Sequence, residues 1–241
     1  MSRLVDFCNE TAYFAPAPTP EGAVFLLPTI MGLAPFVRSF ADSLAGAGLT
    51  TLVWNPYSGQ PEPTDVFDGQ KRAQKLNDKS SLESMASWID FLCEESGLTQ
   101  VGVGGFCLGG RFALLIAARD RRIAGCLGYY PSVLEPMRAN QDDDVIAIVR
   151  TIQCPVHIVR PGTDHVTSKE TYVRLEEALR ERDDPTIIEF FPHAVHGSNG
   201  KRVQPSAELE ANEAAGLIAR PQVTGFFRGC LSDVGRLPTS G

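Results

Sequence analysis

The sequence predicts an α/β fold, a mostly parallel central sheet with helices on both faces. Two observations carry this. Short, nearly continuous apolar runs recur at 24–28, 49–55, 100–106, 123–130, 155–161 and 186–192, as strands buried on both faces should read. Segments with helical spacing lie between them, and such alternation along a whole chain is the pattern of a parallel sheet covered on two sides. A chain of 241 residues, 43% hydrophobic and 21% charged, suits one domain spanning 1–241.

The helices follow in order. Phe36, Phe40 and Leu44 recur every four residues before Gly46 and Gly48 stop the pattern. Leu82, Met85, Trp88, Ile89 and Leu92 form a second stripe, ended by Gly97. Leu114 and Ile116 belong to a helix starting near 107, and Tyr172, Leu175 and Leu179 mark a fourth. A C-terminal helix is expected over 209–227, despite Gly216 and Pro221. The Pro-rich stretches at 16–20 and 61–63 read as loops.

Composition removes several classes of function. The densest apolar stretch, 112–118, is far shorter than the ~20 residues a membrane-spanning helix needs. The N-terminus carries acids where a secretion signal needs an apolar run, so a cytoplasmic protein is expected. A net charge of −7 argues against nucleic-acid binding, which relies on Lys and Arg neutralising phosphates. The six cysteines contain no Cys-x-x-Cys pair, so no zinc ribbon is indicated. The run Asp142-Asp143-Asp144 lacks the alternating ligands and glycine of a calcium loop and reads as a solvated helix start. Neither metal nor cofactor is expected.

The strongest signal is Gly105-Phe106-Cys107-Leu108-Gly109-Gly110, which follows one predicted strand and precedes a helical run. Strand, sharp turn and helix is the context in which a G-x-S-x-G pattern holds a nucleophile. Here cysteine fills the serine position. Side chains at 105 and 109 would collide with the neighbouring strand and helix. The helix N-terminus favours a thiolate, and the backbone N–H of Leu108 would point at a developing oxyanion. The other reading is a Gly-rich turn around a buried thiol, but the segment lacks the Lys-Ser/Thr of a phosphate-binding loop.

A nucleophilic thiol needs a base and a group to orient it, and in this architecture the chain order is nucleophile, acid, histidine. His157 lies inside a predicted strand, and His165 directly follows Asp164. His193 and His196 both follow the 186–192 run; His196, which precedes Gly197 in a turn-forming stretch, is preferred. Asp164, at the carboxyl end of the 155–161 strand, is the expected acid. Its competing role is the N-cap of a helix starting near Val166. The second oxyanion donor should come from the loop 28–32, with the N–H of Ile30 as candidate. Tyr129 and Tyr130, at a strand exit, either line the pocket or belong to the core.

These residues resemble the dienelactone hydrolase family of the α/β-hydrolase fold. The resemblance rests on Gly105-Phe-Cys-Leu-Gly-Gly, Pro161-Gly-Thr-Asp164 and His196-Gly, and extends from about residue 22 to 230. It implies a Cys107–His196–Asp164 triad that opens esters and lactones through an acyl-thioenzyme, without metal or cofactor. Three positions depart from the family pattern. Thr29 stands where members carry a glutamate that holds the resting thiol. Arginines grip a substrate carboxylate in the family; here Arg72 is one candidate, its other reading being a solvated helix face with Lys71 and Lys75, and after His196 the arginine position falls on Gly200, with Lys201 and Arg202 just beyond. Ser198 replaces an aromatic residue. Without the glutamate, His196 is expected to hold Cys107 as a resting ion pair, giving rapid alkylation near pH 6, because a thiolate beside His⁺ titrates below the free value of about 8.5.

The reading is a cysteine hydrolase of small esters or lactones. The rivals are a redox or ligand sensor built on Cys107 and an isomerase or carbon–carbon lyase on the same fold.

Overall fold

The computed structural model describes residues 1–197, 221–232 and 235. The strands are β1 (Arg3–Phe7), β2 (Glu10–Ala15), β3 (Gly22–Leu27), β4 (Leu49–Val53), β5 (Val101–Phe106), β6 (Ile123–Tyr129), β7 (Val156–Thr163) and β8 (Thr186–Val195). The helices are α1 (Pro35–Gly46), α2 (Val66–Ala73), α3 (Asp78–Ser96), α4 (Leu108–Ala117), α5 (Val145–Ile148), α6 (Lys169–Arg180) and α7, over 221–231. The strands form one sheet in the order β1-β2-β4-β3-β5-β6-β7-β8. From β4 to β8 every pairing is parallel, and the β1–β2 hairpin adds antiparallel to β4.

Every residue of β3, β4 and β5 is buried, which is why these strands read as continuous apolar runs. Two cores flank the sheet. One gathers Met85, Trp88 and Ile89 of α3, Phe112 and Leu115 of α4, and Tyr172 and Leu175 of α6. The other gathers Val37 and Leu44 of α1 with Val223 and Phe227 of α7. Fully burying each such side chain contributes about 1.5–3 kcal/mol before chain entropy is counted.

The structure departs from expectation at both ends. The hairpin β1–β2 lies outside the predicted strands, since β1 alternates between exposed and half-buried positions. Its turn residues Cys8 and Asn9 both have positive φ; Asn suits that region, whereas Cys gives no turn signal. Strand β8 continues to Val195, so His193 lies on a strand and is exposed. Residues 221–231 are helical, while the 209–220 part of the expected C-terminal helix lies outside the described residues.

Between α3 and α4 a fully buried ion pair replaces apolar packing. Arg111 donates from Nη1 to Asp78 Oδ1 (2.6 Å) and from Nη2 to Asp78 Oδ2 (2.7 Å), each side chain 2% exposed. Asp78 Oδ2 also accepts the amides of Asp142 and Asp143. The acidic run is thus architectural: Asp143 pairs with Arg119, and Asp144 caps α5, consistent with a helix start.

The sheet order reverses between β3 and β5, the chain passing from β3 to β4 on one side while β5 lies on the other. Ligands bind beyond the carboxyl ends of strands at such a switch point.

Candidate active site

Cys107 sits at that point, between β5 and α4. Its backbone has φ 55° and ψ −113°, a sparsely populated conformation for a residue with a side chain. The glycines around it make the turn possible. A Cβ on Gly105 would lie 2.0 Å from the Gly109 carbonyl oxygen, and one on Gly109 would lie 2.2 Å from that of Leu27. The Gly109 N–H donates to Pro28 O (3.0 Å), which fastens the elbow to the exit of β3.

The structure brings Cys107, His196 and Asp164 together from three separate strand exits. His196 Nε2 lies 3.1 Å from Cys107 Sγ, and His196 Nδ1 lies 2.8 Å from Asp164 Oδ2. The His196 N–H donates to Thr163 O, which ties the end of β8 to β7. Asp164 divides its two oxygens between the main chain and the imidazole. Its Oδ1 accepts the amides of Val166 and Thr167, while Oδ2 faces the imidazole. The expected N-cap role of Asp164 is not met: α6 begins at Lys169, not near Val166, and Ser168 caps it.

Burial acts to lower the His196 pKa, but hydrogen bonds to Asp164 and Cys107 and the charges of both outweigh it and push it up to about 9. Burial acts to raise Asp164, and here too the His196 contact and the two backbone amides prevail, holding the carboxyl below its ordinary range. The imidazole therefore favours its charged form, between a carboxylate and the sulfur.

Ile30 lies in the loop that the Gly109 bond fastens, and Leu108 opens α4. Neither N–H has a protein acceptor among the described residues. Thr29 is occupied locally, with Oγ1 accepting Met31 N–H. Arg72 stacks over the Tyr57 ring, and Tyr57 donates its hydroxyl to Ile30 O. That places Arg72 one side chain from the Ile30 loop, but Asp68 and the Pro61 carbonyl already engage its guanidinium. Tyr129 is 4% exposed and packs against Phe106 and Tyr130. Tyr130 is the ring that reaches His196, at 5.0 Å. Lys201, Arg202, Ser198 and Gly200 lie outside the described residues.

Three neighbours of the site carry no signal in the sequence. Ser132 Oγ lies 3.1 Å from Cys107 Sγ. Tyr172 belongs to a helix stripe and is buried as such, yet its hydroxyl donates to Asp164 Oδ2 (2.9 Å). Thr167, fully buried, donates from Oγ1 to Pro131 O and accepts Val133 N–H. His157 lies inside β7, 3% exposed, as a sheet residue should. Among the described residues no group of three or more His, Cys, Asp or Glu could hold a metal ion, and no helix is long and apolar enough to cross a membrane.

A sheet of this order, with its strained strand-to-helix turn at the switch point, defines an α/β-hydrolase fold. The chain belongs to the dienelactone hydrolase family, which matches residues 10–231, and is accordingly a hydrolase. Carboxymethylenebutenolidase 1 of Cupriavidus pinatubonensis is 27% identical over 214 residues, 81% of this chain and 85% of that one. The carboxymethylenebutenolidase of Rhodococcus opacus is 25% identical over 186 residues, 76% and 72% of the two chains. A Klebsiella pneumoniae protein assigned to the dienelactone hydrolases shares the fold, with a TM-score of 0.81 at 20% identity over 94% of this chain and 98% of its own.

Proposed function

We propose that this hydrolase uses Cys107 as nucleophile to open small esters or lactones through an acyl-thioenzyme. The carrying observation is that His196 bridges Cys107 and Asp164 with one ring nitrogen each. With the thiol proton already on His196, the Cys107 thiolate attacks the carbonyl carbon. The N–H groups of Ile30 and Leu108 donate to the oxyanion. On collapse the acyl–oxygen bond breaks, and His196 returns the proton to the leaving oxygen. A water then attacks the thioester as His196 removes its proton; the carbon–sulfur bond breaks, the acid departs, and the thiolate is left beside the imidazolium. Asp164 fixes the imidazole tautomer throughout.

Activated esters and lactones suit this machinery better than amides, whose leaving nitrogen needs strong protonation. The names of the two carboxymethylenebutenolidases support a lactone. Asp68, by engaging Arg72, weighs against a carboxylate grip there, so dienelactone itself does not follow. Two of the other cysteines support a hydrolase over a disulfide-forming sensor: Cys154 precedes β7 and Cys230 packs on Gly125 of β6, toward the amino ends of the strands. Six free thiols fit a reducing cytoplasm, and one sheet across 3–195 fits one domain.

The test is hydrolysis of p-nitrophenyl acetate by wild type and Cys107→Ala. Activity should vanish with the thiol. Equal rates in the two proteins would overturn the nucleophile.

A further inference from the structure

Cys107 Sγ has a second polar partner. Ser132 Oγ stands 3.1 Å from it, as close as His196 Nε2. Among the described residues the sulfur is the one hydrogen-bond partner of this hydroxyl, and Ser132 is only 8% exposed.

The main chain around Ser132 is fixed from both sides. Its own N–H donates to Cys107 O (2.9 Å). The Thr167 hydroxyl donates to Pro131 O (2.8 Å) and accepts Val133 N–H (3.0 Å), so one buried side chain clamps the two residues flanking Ser132. Thr167 N–H in turn donates to Asp164 Oδ1 (2.9 Å). The loop after β6 is therefore locked to the elbow and to the acid together, and the serine hydroxyl is delivered to the sulfur with little freedom.

A thiolate can only accept hydrogen bonds. In the ion pair with His196 the sulfur would take one from the imidazolium and one from the hydroxyl. No carboxylate contacts Sγ among the described residues, and Thr29 is turned to Met31. We propose that Ser132 donates its hydroxyl proton to the Cys107 thiolate and, with His196, holds the resting nucleophile charged. This rests on the reading of Cys107 as the nucleophile. Once the sulfur is acylated it loses its charge and becomes a poor acceptor, so the bond acts mainly on the free enzyme.

The titratable groups facing the sulfur are His196 directly, Asp164 and Tyr172 through it, and Tyr57 from the loop after β4, whose hydroxyl feels the charge of Cys107. The His165 ring packs on His196. All of them are unchanged in a serine variant, so a shift in the sulfur's titration reports the hydroxyl.

The experiment is iodoacetamide alkylation of the folded protein as a function of pH, with the Cys107 peptide followed by mass spectrometry. Ser132→Ala should move the midpoint up by about one pH unit, the size expected for losing one hydrogen bond to a charged group. Below the wild-type midpoint the rate would then fall about tenfold, and it would become equal to wild type at high pH. Ser132→Gly should do the same, and it guards against a fold defect particular to alanine. Ser132→Thr, which keeps a hydroxyl, should retain the wild-type profile. A Ser132→Ala or Ser132→Gly profile that superimposes on wild type, or that drops by one factor at every pH, would overturn the proposal. Hydrolysis by Cys107→Ala reports separately on the nucleophile: a hydrolytically active Cys107→Ala beside a shifted alkylation profile would leave the Ser132 contact standing and remove the catalytic reading.

Discussion

Asp164 meets His196 through one carboxylate oxygen, Oδ2 at 2.8 Å from Nδ1, and keeps the other for the amides of Val166 and Thr167. The two oxygens can therefore be perturbed separately. In Asp164→Asn the amide oxygen retains the local turn, while the amide nitrogen faces Nδ1 and favours the wrong imidazole tautomer. We expect kcat/KM on an aryl ester to fall by about 10²–10⁴-fold, with stability below pH 9 reduced as well, because the buried imidazolium loses its charged partner. Wild-type kcat/KM in this variant would remove Asp164 from the mechanism.

The His196 pKa of about 9 carries a stability signature. The group titrates near 6.5 when unfolded, so its folded value is raised. Its contribution is complete below pH 6.5 and is lost as pH rises through 9, a change of about 3 kcal/mol in order of magnitude. Urea unfolding of wild type and His196→Gln at pH 6.5 and pH 9.5 reads it, with Cys107, whose charge is coupled to His196, followed in parallel by alkylation of both proteins. The stability gap should narrow by about that amount at the higher pH. A gap independent of pH would show that His196 gains nothing from its partners.

The strands from β3 to β7 were legible because burial on both faces leaves a nearly uninterrupted apolar run, and β8, a half-exposed edge strand, because its sequence is apolar all the same. The β1–β2 hairpin was not, because half-exposed strands and a Cys8-Asn9 turn carry little signal. Cys107, Asp164 and His196 could be placed together because each follows a strand in the order the architecture demands. Ser132 could not: it reaches Sγ because β6 lies beside β5 and the chain reverses after Pro131, and a serine after proline has no spacing signature. The clearest available clue was that β6 exits next to the elbow. Arg72 shows the opposite case. Its partner Asp68 is four residues away on one helix, a spacing that the amino-acid sequence displays directly.

Two glycine substitutions should act in opposite directions. In Gly109→Ala the new Cβ would fall 2.2 Å from Leu27 O and 2.5 Å from Pro28 O, both backbone atoms that cannot yield without opening the elbow. The variant should be insoluble or destabilised by at least about 3 kcal/mol. Gly225, exposed on α7, has nothing within 4 Å of its would-be Cβ. Gly225→Ala should stabilise by about 0.5–1 kcal/mol through helix propensity alone. Thermal unfolding of both variants tests the pair, and a soluble Gly109→Ala protein with wild-type stability would contradict the packing at the turn.

The buried Asp78–Arg111 pair links the elbow helix α4 to α3, and its energetics depend on which atom is removed. Asp78→Ala strands the Arg111 guanidinium in a dry site and orphans the amides of Asp142 and Asp143, both now held by Oδ2. Breaking one side of such a pair costs about 3–5 kcal/mol. Asp78→Asn keeps an oxygen for the two amides and loses only the charge, so it should cost distinctly less. Arg111→Met in the Asp78→Asn background removes the stranded cation and should recover part of the loss, because a neutral acceptor beside an apolar chain carries no uncompensated charge. Urea unfolding of the three variants gives the order. If Asp78→Ala and Asp78→Asn cost the same, the amides contribute nothing and the charge alone sets the stability of this contact.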